Sequence, residues 1–187
     1  MAVGLSKPKN ILPIAGIKLA STYCGIRKAH ADDLVLLEIA EGSSVAASFT
    51  RNAFCAAPVL LARQHLAQAA ARYLLINAGN ANAGTGEKGM QAAKQSCEKV
   101  AEQMGVATES VLPFSTGVIG EYLPVDKITA ALPDLQSRLQ ENNWLAAATA
   151  IMTTDTVAKA YSEQVLLDCG TTVTLSGISK GAGMICP

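Results

Sequence analysis

Charge is scarce in this chain. Only 16% of its 187 residues are Asp, Glu, Lys or Arg, and fifteen basic groups are balanced by fifteen acidic ones. That leaves no basic field for nucleic acid or for an anionic membrane surface, so neither is expected as a partner. Half of the residues are hydrophobic, whereas an ordinary domain carries roughly a quarter charged residues. Part of the surface is therefore expected to lie against another protein chain. Long hydrophobic runs are missing too: nothing reaches the roughly 20 residues of a membrane-spanning helix. The stretch from Met1 to Asn10 holds lysines but no apolar core of signal-peptide length. Cys24, Cys55, Cys97, Cys169 and Cys186 show no CxxC spacing, and His30 and His65 lie far apart. Neither a disulfide framework nor a zinc site is indicated, and a reducing, cytoplasmic location without metal is the default expectation.

What is present reads as one α/β domain of the α+β kind over residues 1–187, with mixed sheet layers and flanking helices. Apolar, β-branched runs at Leu34 to Ile39, Val45 to Phe49 and Tyr73 to Ile76 predict strands, the first two forming a hairpin through Gly42. Ala57 to Ala71, opening with Pro58, predicts a helix, as does Glu87 to Gly105 with its closing glycine. A third helix is expected from Pro124, kinked or restarted at Pro133, and a fourth over Leu145 to Ile151. Glu163 to Leu167 and Thr171 to Leu175 flank Asp168-Cys169-Gly170 as a second hairpin.

Three polar turns interrupt this apolar background. Asn77-Ala78-Gly79-Asn80-Ala81-Asn82-Ala83 leads towards a formal GxGxxG at Gly84, Gly86 and Gly89. Those glycines start well after the strand, so a self-bonded turn competes with a nucleotide site. Phe114 to Glu121 contains Thr116-Gly117, a hydroxyl beside an unobstructed N–H, which suits a developing oxyanion and equally suits an ordinary loop. Thr153-Thr154-Asp155-Thr156 is a hydroxyl cluster that could simply terminate a helix. Lys180 stands alone in an apolar, glycine-punctuated run ending at Pro187, an unusual tail that reads as a cut surface and equally as a flexible end. An isolated ammonium in such surroundings is expected to meet a carboxylate from protein or substrate.

Taken in order, Thr50-Arg51-Asn52 with Ala56-Ala57-Pro58-Val59, the asparagine turn, Ser115-Thr116-Gly117-Val118-Ile119-Gly120, Thr153-Thr154-Asp155-Thr156 and Lys180-Gly181-Ala182-Gly183-Met184 resemble the ornithine acetyltransferase family of arginine biosynthesis. The resemblance runs from about Ile14 to Pro187. It implies a self-processing fold in which a precursor cleaves itself at an Ala-Thr bond shortly after the lysine motif. This chain would then be the α chain, and the nucleophile would be the N-terminal threonine of an associated β chain in an (αβ)2 heterotetramer. The implied reaction moves an acetyl group from N-acetylornithine to L-glutamate without a cofactor, acetyl-coenzyme A serving some relatives as a second donor. Residue by residue, the resemblance gives Thr116 and Gly117 as the oxyanion pair and Thr154 and Lys180 as substrate contacts, with Thr153 the adjacent alternative to Thr154. Cys186 is implied to be incidental. Two other functions fit the same residues: a self-processed N-terminal-nucleophile amidase or aminopeptidase, and a non-catalytic module that holds a small anion.

Overall fold

The computed structural model describes residues 8–27 and 31–182. His30, the Gly183-Met184 end of the lysine motif, Cys186 and the expected junction at Pro187 lie outside the described residues. The chain order is β1 (Ile17–Thr22), β2 (Leu34–Ile39), α1 (Ala57–Gln68), β3 (Tyr73–Asn80), α2 (Gly86–Met104), β4 (Val111–Val118), α3 (Val125–Ser137), α4 (Trp144–Ala150), β5 (Lys159–Leu166) and β6 (Thr172–Ser179). The first four strands form one mixed sheet in the order β1-β2-β3-β4. β1 and β3 flank β2 antiparallel, while β3 and β4 run parallel across the α2 crossover. β5 and β6 form a separate antiparallel hairpin.

Alternation along β2 explains the layers. Leu34 and Leu36 face a core with Leu61 of α1, Cys97 and Val100 of α2, and Ile128, Leu132 and Leu135 of α3. Val35 and Leu37 face the opposite side, where Leu19, Trp144, Ala147 and Ile151 gather around α4. Both faces of the sheet are thus covered, and each fully buried leucine contributes roughly 1.5–3 kcal/mol of burial energy. His65 of α1 is buried with Nδ1 2.8 Å from the Val111 carbonyl, tying that helix to β4.

Three expectations change. Val45 to Phe49 is not a strand, because both edges of β2 are already occupied by β1 and β3. Val45 and Phe49 pack instead beside Ala62, Leu66 and Leu112. Pro133 does not interrupt α3, which runs unbroken from Val125 to Ser137; it sits on the exposed side, where water can serve the carbonyl that its missing N–H leaves unpaired. The Thr116-Gly117 segment lies at the end of strand β4 rather than in a free turn, and Pro113 within that strand is tolerated because β4 is the outer strand of the sheet. α2 closes as expected, Gly105 taking the left-handed conformation at φ +69°.

Candidate active-site cleft

Parallel strands deliver their carboxyl ends to the same rim, the usual place for a ligand crevice in sheets with crossovers. β3 brings Gly79 and Asn80 there, and β4 brings Thr116 and Gly117, with Gly79 opposite Gly117. Gly117 has φ +136°, and a Cβ on it would overlap the Gly79 carbonyl carbon and the Asn80 nitrogen. Only glycine fits so close an approach, and Gly117 itself lines the cleft. The neighbouring Thr116 hydroxyl has no hydrogen-bond partner among the described residues.

The asparagine turn proves to be scaffolding for this rim. Asn77, Asn80 and Asn82 are buried. Asn77 Nδ2 donates to the Asn80 carbonyl at 2.8 Å, and its Oδ1 accepts from Ser115 Oγ at 2.6 Å. Asn80 Nδ2 donates to the carbonyls of Glu121 and Tyr122 at 3.1 and 3.2 Å. Asn82, at φ +44°, donates to the Gly89 carbonyl at 2.8 Å and accepts from Thr85 Oγ1 at 2.9 Å. These amides are spent inside the protein, holding the loop after β4 against the loop after β3. A Cβ on Gly89 would overlap Thr85, so this glycine serves the same packed turn.

The opposite wall comes from the Thr153 turn and the end of β6. Asp155 is buried between them. Its Oδ1 accepts from Lys159 Nζ at 2.5 Å and from the Gly181 N–H at 2.7 Å, and its Oδ2 from the Thr153 N–H at 3.3 Å. Burial pushes this carboxyl group up, but the Lys159 ammonium and the two backbone N–H groups outweigh it and bring it down to about 2. One carboxylate therefore closes the base of the β5–β6 hairpin and fixes the Thr153-Thr154 turn beside Lys180. Ser162 and Ser176 anchor the hairpin farther along through the backbone of Leu12. Lys159 is consumed by Asp155, whereas the Lys180 ammonium has no carboxylate partner among the described residues.

These walls enclose a cleft of about 820 Å³ that is lined by Thr116, Gly117, Thr154 and Lys180 together with Arg27 and Glu121. All four residues singled out in the sequence come together. Thr153 also lines the cleft, but its N–H is tied to Asp155, while the Thr154 side is exposed. Arg27, Glu121 and the positioning role of Asp155 had no signal of their own: Arg27 follows Gly25-Ile26 in a segment without periodicity, and only the tertiary fold carries it here. A second concavity of about 630 Å³ lies on the hairpin beside Tyr161, Leu175 and Ile178, where Lys159 is already paired. Among the described residues no three His, Cys, Asp or Glu side chains gather to hold a metal ion. No described helix is long and apolar enough to cross a membrane.

Residues 18–187 match the sequence profile of the ArgJ family. The chain belongs to that family. It is 55% identical over 187 residues to the arginine biosynthesis bifunctional protein ArgJ of Pseudomonas fluorescens, covering 100% of this chain and 46% of that relative. The chain thus spans about half the length of the curated relatives it matches. Among solved structures it is similar to arginine biosynthesis bifunctional protein ArgJ from Bacillus halodurans, with a TM-score of 0.81 and 32% identity, covering 94% of this chain and 96% of that one. It is also similar to ornithine acetyltransferase from Mycobacterium tuberculosis, solved with ornithine, with a TM-score of 0.79, 35% identity, and coverage of 94% and 92%. The mixed sheet with flanking helices is the ArgJ fold.

Proposed function

We propose that this chain is the α part of a two-chain acetyltransferase of arginine biosynthesis, which moves the acetyl group of N-acetylornithine to L-glutamate. The observation that carries the reading is the convergence on one cleft of Gly117, the Thr116 hydroxyl and the Lys180 ammonium, the last two without a partner among the described residues. Two comparisons support it. The curated ArgJ relative is about twice as long as this chain, yet the matched solved chains are of nearly its own length. That pattern fits relatives that exist as two pieces. The Mycobacterium tuberculosis ornithine acetyltransferase, solved with ornithine, fits a pocket for an amino acid.

In the proposed reaction the N-terminal threonine of the second chain attacks the acetyl carbonyl carbon of N-acetylornithine. Its own α-amine, with a reference pKa of about 8, takes the hydroxyl proton. The carbonyl oxygen becomes an oxyanion between Thr116 Oγ1–H and the Gly117 N–H. Collapse breaks the C–N bond, the proton passes to the departing ornithine nitrogen, and an acetyl-threonine ester remains. The α-amine of glutamate then attacks the ester carbonyl, the C–O bond breaks, and the threonine hydroxyl regains its proton. Lys180 holds the α-carboxylate of either amino acid, and Thr154 lies beside it. Apolar groups near the cleft, including Ile119 and Tyr122 at 64% and 62% exposed, offer the second chain a surface. An (αβ)2 assembly in the cytoplasm and use of acetyl-coenzyme A as a further donor are finer readings of the same proposal.

The experiment is to incubate the complete protein with N-acetylornithine, with and without glutamate, and to measure ornithine and N-acetylglutamate. Glutamate-dependent ornithine release matched by N-acetylglutamate is expected. Ornithine release that ignores glutamate would make the protein an amidase instead.

A further inference from the structure

Arg27 has no part in the scheme above, yet the fold builds a position for it. The buried Asp33 carboxylate accepts the N–H groups of Cys24 and Arg27, each at 2.7 Å, and so rounds the connection from β1 to β2 into a fixed loop. That loop lies directly on β3. A Cβ on Gly79, which has φ +114°, would come within 3.0 Å of the Arg27 backbone. The guanidinium Nη1 donates to the Met152 carbonyl at 2.5 Å, just before the Thr153 turn. Its Nε is enclosed without a hydrogen-bond partner among the described residues. A buried guanidinium donor left unpaired is costly, so the fold holds this side chain in place against a penalty, and Arg27 lines the cleft.

The charge balance of the cleft says what ligand Arg27 suits. Asp155 is already committed to Lys159, the Asp33 carboxylate is taken by the backbone N–H groups of Cys24 and Arg27 and makes no ion pair with the guanidinium, and Glu121 is exposed on the rim. Arg27 and Lys180 are thus two cations without an ion-pair partner among the described residues, lining one cleft of about 820 Å³. One α-carboxylate occupies one of them. A second fixed cation calls for a second carboxylate on the same small molecule, and the planar fork of arginine suits a carboxylate better than a lysine does.

We propose, on the basis of the acetyl-transfer reading, that Arg27 selects an acidic side chain in the acetyl acceptor, receiving its distal carboxylate while Lys180 receives its α-carboxylate. The donor's side chain ends in an ammonium and gains nothing from Arg27. The residue therefore acts on the second half-reaction and not on the first. A site built to pair a half-buried charge rejects the neutral analogue because its own group is then left unpaired.

The test uses the complete, processed protein, with glutamine as the neutral counterpart of glutamate. In Arg27→Met, the ratio of kcat/KM for glutamate over glutamine is expected to fall about 10- to 100-fold, chiefly through a higher KM for glutamate. Acetylation of the protein by N-acetylornithine, followed by intact mass, should stay within about threefold of the parent. Arg27→Gln keeps an N–H donor for the Met152 carbonyl while removing the charge, and should show the same loss of acceptor preference even where the methionine variant folds poorly. An unchanged glutamate-to-glutamine ratio in either processed variant overturns the assignment, as does an equal collapse of both half-reactions, which marks Arg27 as a support for the Thr153 turn. A parent protein that forms no acetyl adduct overturns the acetyl-transfer reading itself, and the role of Arg27 with it.

Discussion

Thr116 and Gly117 are adjacent but ask different things of the fold. Gly117 is dictated by geometry, since its φ and its contact with Gly79 exclude any side chain. Thr116 is free of such demands: its hydroxyl has no partner among the described residues, so removing it strands nothing. Thr116→Ala is therefore expected to leave the thermal midpoint nearly unchanged while lowering turnover about 100- to 1000-fold, the typical cost of losing one oxyanion donor. Near-parental turnover would remove the threonine from the mechanism. Lys180→Met is expected to raise KM for N-acetylornithine about 10- to 100-fold, since a hydrogen bond to a charged group contributes about 1.5–3 kcal/mol. A KM that does not move in fully processed protein would count against carboxylate recognition. Both residues were singled out in the sequence, Thr116 as an oxyanion donor only through the family resemblance and Lys180 also as a lone cation in an apolar run, and the fold brings both to one cleft. Arg27 was not legible there, because its place depends on Asp33 and Gly79, which are close to it only after folding.

At the scale of elements, legibility followed periodicity. α2 was readable from its amphipathic spacing and closing glycine, and β2 from its apolar run. β4 was hidden by Pro113, which argues against a strand everywhere except at a sheet edge. Val45 to Phe49 looked like a strand because it packs like one, against α1, without a free edge to pair with. The junction of β5, β6 and the Thr153 turn depends on Asp155, whose carboxyl group is held at about 2 against an ordinary 3.8. Because its folded value lies below its unfolded one, the stabilisation it provides is complete above 3.8 and is lost as pH falls towards about 2. Asp155→Asn should cost about 1–3 kcal/mol at neutral pH through the weakened contacts of Lys159 and Gly181. Urea midpoints of parent and variant should converge as pH is lowered across that window. A gap that persists undiminished at the acid end would mean that the carboxylate charge is not what holds the hairpin base.

For the whole molecule, the low charge content and the exposed apolar groups have one explanation in the proposed assembly. Phe54, Ile119 and Tyr122 are 75%, 64% and 62% exposed, and the first two lie together beside Gly84. Such groups become interior when a second chain covers them. The same second chain would bring the nucleophile to donors that this chain holds ready, so that neither piece is an enzyme alone. The most direct measurement is the intact mass of both chains of the complete protein after exposure to N-acetylornithine without an acceptor. The account predicts one acetyl group on the second chain, none on this one, and its discharge when glutamate is added. An active protein that carries no acetyl adduct, or that carries it on this chain, would contradict the account.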